Sequence, residues 1–274
     1  MVKTKKWAAW GMRFSVQLLI LVFFVFPLFW IFTASFKRPV EAVSLPPVWI
    51  FMPTPANYYS VLVKAHFTYF LRNSLVIASI VTAVSLIIGY PAAYGLARYN
   101  FRGKRNLGFW ILSLYMFPPL AVVLPYLLIL KSLRLVDTYW GLSLAHLSFI
   151  LPLVIWLLQR FIRDVPIEFE EAAAVDGAGL LRRLFSVVLP LIGPGVSATG
   201  IFAFMMSWNE FAFALILAPM RAKTLPVASQ GLASWAYINW SEVSAACVLI
   251  AAPVLILILL VRDYLVRGFS FGLK

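Results

Sequence analysis

Trp208, Asn209 and Glu210 are the residues of this chain best suited to bind a polar solute. They follow one another in a long apolar run, where a carboxylate is expensive unless it faces a cavity or a partner. An indole ring can stack on a sugar ring, while amide and carboxylate groups exchange hydrogen bonds with its hydroxyls. Tyr115 is a further candidate, because the Pro118–Pro119 pair just after it interrupts the backbone hydrogen bonds where a cavity could be lined. Substrate contact and a structural or gating role both remain open for these residues.

Covalent and metal chemistry have few candidates. Gly195 to Ala198 weakly resembles the nucleophile segment of a membrane serine protease, but the sequence places no acid to orient either histidine, His66 or His146. These histidines and Cys247 lie far apart, without metal-ligand spacing. No GxxxxGK[ST] phosphate loop occurs, so the chain is not expected to hydrolyse ATP. We expect no catalytic residue, metal or cofactor in this chain.

The composition is that of a membrane protein. Of the 274 residues, 63% are hydrophobic and 12% are charged, and the mean hydropathy is +0.92. Soluble domains carry roughly 25% charged residues. The net charge of +13 is interpreted as cytoplasmic anchoring rather than nucleic-acid binding.

Six apolar runs are long enough to cross a bilayer as helices. They cover about 14–36, 73–97, 106–130, 138–159, 188–218 and 243–261. Six spans place both termini on one side, together with most of the 23 basic residues, and the positive-inside rule makes that side cytoplasmic. We therefore predict an all-α, multi-pass protein with one domain over 1–274.

Counted from Pro190, Glu210 would lie about 30 Å along the fifth run, near the outer surface.

A polar loop at 164–187 interrupts these runs and is predicted to be cytoplasmic. It holds half of the chain's ten acidic residues: Asp164, Glu168, Glu170, Glu171 and Asp176. We expect a short helix that Asp164 caps and Gly177 ends. On it Phe169, Ala172, Ala173 and Asp176 share a face, and the two alanines allow another surface to approach closely.

This loop resembles the EAA loop of ABC-importer permease subunits. The likeness rests on Glu171-Ala172-Ala173, Asp176-Gly177-Ala178, Leu189-Pro190 and Pro194 at the family's spacing. Pro53 to Tyr58, Ala92 to Arg98, Trp208 to Phe211 and the basic tail resemble the carbohydrate-uptake subfamily, whose best-known member is the smaller maltose-permease subunit. The tail lacks the subfamily's usual final glycine, so its contact with an ATPase is less secure.

The resemblance implies a type I (MetI-like) permease fold with six transmembrane helices in a bacterial or archaeal cytoplasmic membrane. It implies a coupling helix in which Glu171, Ala172, Ala173, Asp176 and Gly177 dock on a partner ATPase. Expected partners are a second permease subunit, an ATPase dimer that binds ATP and Mg, and an extracytoplasmic solute-binding protein.

The implied function is ATP-driven import of a sugar, oligosaccharide or polyol by alternating access. Glycerol-phosphate or another small polar solute is an alternative substrate. A secondary transporter is the alternative from another class; it would couple to an ion through intramembrane acids, of which Glu210 is the one candidate in the apolar runs.

Overall fold

The computed structural model describes residues 2–232 and 238–270, with side chains for 13–232 and 238–260. This part of the chain is helical. The α-helices are α1 Val2–Ala34, α2 Pro39–Ala42, α3 Ala56–Tyr59, α4 Phe67–Arg98, α5 Lys104–Tyr115, α6 Pro119–Ser132, α7 Tyr139–Asp164, α8 Glu168–Val175, α9 Leu180–Arg182, α10 Leu189–Leu191, α11 Gly193–Trp208, α12 Ala212–Leu217, α13 Leu225–Ser229 and α14 Trp240–Ser270. Single π-helical turns cover Ser60–Lys64 and Arg183–Val188, and a 3₁₀ turn covers Gln230–Leu232.

The chain divides into two compact units. The first comprises Met1–Phe67 and Ser229–Ala252, and the second comprises Thr68–Ala228 and Pro253–Lys274. The prediction of one permease domain over 1–274 stays a prediction.

In the first unit, the proline-rich segment after α1 folds back onto the end of that helix. The Asn57 side-chain amide donates to the Ser35 and Lys37 carbonyls, both at 2.8 Å. The Lys37 ammonium lies 4.5 Å from the centre of the Trp30 ring. This segment holds the short helices α2 and α3, because its prolines interrupt longer helices.

The second unit is built around α7. Its residues Ile150, Val154, Leu158 and Ile162 are buried at i, i+4 spacing along one face. A β-carbon on Gly195 of α11 would lie 2.4 Å from the Phe161 ring of α7. That close approach requires glycine at position 195.

In the part of the chain with described side chains, four helical segments are long and apolar enough to span a membrane: Arg13–Ala34, Phe67–Arg98, Tyr139–Asp164 and Trp240–Leu260. Two bent pairs bring the possible number to six: Lys104–Tyr115 with Pro119–Ser132 at 93°, and Leu180–Leu191 with Gly193–Trp208 at 81°. The predicted runs 106–130 and 188–218 are therefore not continuous helices. The Pro118–Pro119 pair breaks the first, and the second bends at Ile192 just before Gly193 and Pro194.

Candidate functional site

The helix within the acidic loop, α8, begins later in the chain than the sequence predicted. Asp164 does not cap α8; it is the last residue of α7 and pairs with Arg160 at 3.6 Å. Pro166 explains the difference, because a proline disfavours helical geometry in the residue before it, and Val165 is extended with ψ 124°. Helix α8 then starts at Glu168 without a side-chain cap, and its first turn carries three glutamates that complement the helix dipole.

Gly177 ends α8 in a left-handed turn, as predicted. Its φ is +81°, a conformation that glycine adopts without strain. The Ala178 N–H donates to the Ala173 carbonyl at 2.9 Å and the Gly177 N–H donates to the Ala174 carbonyl at 3.0 Å. These two bonds form a Schellman motif, which fixes the direction in which the chain leaves α8.

The predicted docking residues form an exposed surface. Glu171, Ala172, Asp176 and Gly177 are exposed, and Ala173 is half-buried. Val175 adds an apolar side chain that is 89% exposed.

The opposite side of α8 is anchored by a buried carboxylate. Glu170 is 2% exposed and accepts a hydrogen bond from Arg98 Nε at 2.6 Å. The Tyr94 hydroxyl donates to the other carboxylate oxygen at 2.5 Å. Arg98 Nη2 also donates to the Val165 carbonyl at 2.8 Å, so the end of α4 holds both α8 and the link before it.

A second contact ties α4 to the segment after α8. The Tyr90 hydroxyl donates to the Leu184 carbonyl at 2.6 Å within the Arg183–Val188 π-helical turn. Leu184 and Val188 are buried in the core, whereas the nearby Leu181 and Phe185 are exposed. Sequence reasoning missed both anchors, because Glu170 and Arg98 are 72 residues apart and carry no spacing signal.

Glu210 belongs to a buried polar cluster. His146 Nδ1 lies 2.8 Å from Ser207 Oγ, and His146 Nε2 lies 3.1 Å from Glu210 Oε2. The Glu210 carboxylate also accepts the backbone N–H groups of Phe213 at 2.9 Å and Ala214 at 3.1 Å. The expectation that no acid orients either histidine was therefore wrong for His146. Glu210 satisfies the free N–H groups at the start of α12, a structural use of its charge.

The other path candidates lie in different surroundings. Trp208 is buried and stacks on Phe204 with ring centres 5.7 Å apart. Asn209 is exposed and donates to the Met205 carbonyl at 2.9 Å. Tyr115 is 39% exposed at the end of α5. Their roles in a solute path stay predictions.

A cavity lies at the break between α5 and α6. It has a volume of about 360 Å³ and is lined by Leu114, Phe117, Pro119, Val122, Tyr126, Ser148, Phe149 and Phe213. Phe213 stacks on Phe149 with ring centres 5.8 Å apart. Because the Phe213 N–H binds Glu210, the buried cluster positions one wall of this aromatic cavity.

At the other end of α4, Asp137 organises the loop that follows α12. Its carboxylate accepts the N–H groups of Met220, Arg221 and Ala222 at 2.8–3.1 Å. Asn73 donates to the Arg221 and Lys223 carbonyls, both at 2.9 Å. Helix α12 separates Glu210 from this loop along the chain, and the position of Glu210 near the outer surface stays a prediction.

Comparison with known proteins decides the family. Residues 85–271, more than half of the chain, match the family described as binding-protein-dependent transport system inner membrane components. The chain belongs to this family. It is an integral inner-membrane component of a transport system, and the resemblance stated from the sequence is confirmed.

Relatives of this permease cover nearly its whole length. The trehalose/maltose transport system permease protein MalG of Thermococcus litoralis is 33% identical over 262 residues, which is 93% of each chain. The trehalose transport system permease protein SugB of Mycobacterium tuberculosis is 32% identical over 257 residues, again 93% of each. A crystal structure of a bacterial ABC transporter involved in alginate import matches with a TM-score of 0.77 at 24% identity, covering 93% of this chain and 96% of that chain. This likeness confirms the predicted permease fold.

Proposed function

We propose that this chain is a permease subunit of an ATP-driven importer that takes up a sugar or oligosaccharide. The observation that carries the proposal is the construction of α8. One side is bound to α4 through Glu170 and Arg98, and the opposite side exposes Glu171, Ala172 and Gly177. A helix that is bound to α4 on one side and exposed on the opposite side is suited to receive force from a docked protein.

The partners proposed are those the sequence motif implies. The exposed side of α8 takes a cytoplasmic ATPase, which supplies ATP binding and hydrolysis with Mg. A second permease subunit completes the membrane domain, and an extracytoplasmic solute-binding protein delivers the substrate. The family's description as binding-protein-dependent supports the last of these.

The proposed mechanism is alternating access. Closure of the ATPase dimer moves α8, and the contacts to Arg98 and Tyr90 carry that movement into α4. Transport requires two helix packings of similar free energy, each favoured by a different ligand state. In the proposed membrane orientation, α8 and both termini lie on the cytoplasmic side. The loop whose N–H groups bind Asp137 then lies on the outer side.

Carbohydrate is the proposed substrate class, because relatives that match over nearly the whole chain are named for trehalose and maltose transport. The aromatic cavity at the α5–α6 break suits the apolar face of a sugar ring. The contacts of Glu210 argue against an ion-coupled secondary transporter, because its carboxylate is already bound by His146 and two backbone N–H groups.

Co-purification from the native host in mild detergent tests the proposal. We expect a tagged chain to retain an ATPase and a second permease, identified by mass spectrometry. The associated solute-binding protein is then screened against sugars by thermal shift. A chain that purified alone and supported ion-driven uptake in liposomes would overturn the importer assignment.

A further inference from the structure

A second cavity, which we call the basic groove, lies between α5 and α7. Its volume is about 650 Å³, and its lining includes Lys104, Arg105, Gly108, Trp156, Gln159 and Arg163. It lies at the end of α7 that leads into α8. Coupling and the solute path, as proposed above, use none of these residues.

The groove is positively charged without an internal counter-ion. Lys104, Arg105 and Arg163 line it, and no acidic residue does. Among residues whose side chains are described, Arg98 pairs with Glu170 and Arg160 pairs with Asp164, and the other close contact to a carboxylate is that of His146 with Glu210. Lys104 donates to Asn100 Oδ1 at 3.2 Å, but no carboxylate in this part of the chain neutralises any of the three cations, so their charge is available to an anion.

Exposed aromatic side chains adjoin these cations. Trp156 is 50% exposed and Phe109 is 69% exposed, and both line the groove. Trp156 and Arg163 are seven residues apart on one face of α7, which separates them by about 10 Å along the helix. Tryptophan at headgroup depth with arginine beyond it is the arrangement found at a membrane–water interface.

We infer that the basic groove binds one anionic phospholipid. Its phosphate lies between Lys104, Arg105 and Arg163, and an acyl chain lies along Phe109 and Trp156. Basic pockets between transmembrane helices on the cytoplasmic side recognise such headgroups. A free phosphate would satisfy the cations but would leave the aromatic wall unused. The inference rests on the membrane location of α5 and α7 and on the proposed cytoplasmic position of α8, and not on the proposed sugar specificity.

Native mass spectrometry of the assembled, delipidated importer tests this inference. We expect one phosphatidylglycerol to bind with higher affinity than phosphatidylcholine. The double variant Arg105→Gln/Arg163→Gln should bind it on the order of tenfold more weakly, because two cations at the headgroup are lost. The control Arg102→Gln/Arg160→Gln removes the same charge outside the groove and should bind like the parent.

Gly108→Leu provides a test that keeps the charges. Gly108 lines the groove, and a β-carbon at this position meets no atom within 4 Å, so the backbone accepts a side chain that occupies groove volume. We expect bound phosphatidylglycerol to be lost while the importer assembles normally.

Equal affinity for the two lipids, or unchanged binding in the double variant, would overturn the lipid site. Displacement of the lipid by millimolar inorganic phosphate would instead assign the groove to a soluble anion. A photo-crosslinker in place of Phe109 that captured the second permease would assign this face to a subunit interface.

Discussion

Substitution of Gly177 separates a role in docking from a role in folding. Three variants differ in strain and in bulk: Gly177→Ala, Gly177→Asn and Gly177→Asp. A left-handed conformation costs an ordinary L-residue about 1–2 kcal/mol, and asparagine and aspartate tolerate it better than alanine. No atom lies within 4 Å of the added β-carbon, so this carbon meets no steric conflict within the chain in any of the three variants. The folding cost is therefore small beside a typical stability of about 5–15 kcal/mol.

If α8 docks on an ATPase, the three variants should rank by side-chain size in their loss of uptake, which is opposite to the ranking expected from backbone strain. If α8 sits in an ATPase cleft, a side chain at the exposed Gly177 overpacks that contact, which costs about 1–3 kcal/mol, or roughly 5- to 150-fold in affinity. Asparagine and aspartate, the larger side chains, should then lose uptake most, and alanine should lose least. Gly177→Asp should leave membrane insertion intact.

The assay measures uptake of the sugar that the solute-binding protein binds, together with the amount of ATPase that co-purifies. Gly179→Asp is the matched control, because Gly179 has an ordinary φ of −65° and equally open space. If alanine were the most damaging variant and asparagine behaved like glycine, backbone strain would explain the data. Normal uptake by Gly177→Asp would refute the coupling role.

Three further substitutions test the clusters that hold the second unit together. Glu170→Gln keeps the size of the side chain but removes its ion pair with Arg98; loss of a charged hydrogen bond of about 1.5–3 kcal/mol should lower uptake roughly tenfold or more, while ATPase binding persists. Unchanged uptake per ATP hydrolysed would contradict a transmission role. Glu210→Ala removes the acceptor of two N–H groups and the partner of His146, so transport should fall while the complex still assembles; loss of the complex would indicate a folding role. Asp137→Asn keeps the left-handed φ of 58° that asparagine tolerates but weakens three N–H bonds, so trypsin should cleave after Arg221 faster than in the parent. Equal cleavage would mean that Asn73 and Tyr69 hold the loop without these bonds.

The spans could be predicted from the sequence because apolar length is a local property. Prolines were a weaker guide to where helices break. Pro118 and Pro119 mark a 93° bend, yet Pro91 and Pro152 lie inside α4 and α7. A helix can absorb one missing N–H when neighbouring helices hold it in place, and such support is a tertiary property that the sequence does not display.

The exposed half of the candidate site could be predicted, and the buried half could not. Glu170 and Glu171 are neighbours of the same type, but one is buried against Arg98 and the other faces outward. The motif identified Glu171 because its spacing to Gly177 is local. Glu170 is distinguished by the end of α4, which the chain reaches 72 residues earlier.

One anchor to α4 holds α8 and the other holds the Arg183–Val188 turn that follows it, so we expect the segment from α8 through this turn to act as a lever. A helix held at one point can rotate about that point, and a push on its free side is then lost as rotation. Tyr90 and Arg98 are eight residues apart, so their contacts with Leu184 and Glu170 are separated by about 12 Å along α4. Two contacts at that separation resist rotation as well as translation. Removing one of these contacts should therefore leave α8 docked on its ATPase but free to rotate. For this reason Glu170→Gln is expected to lower uptake more than it lowers assembly.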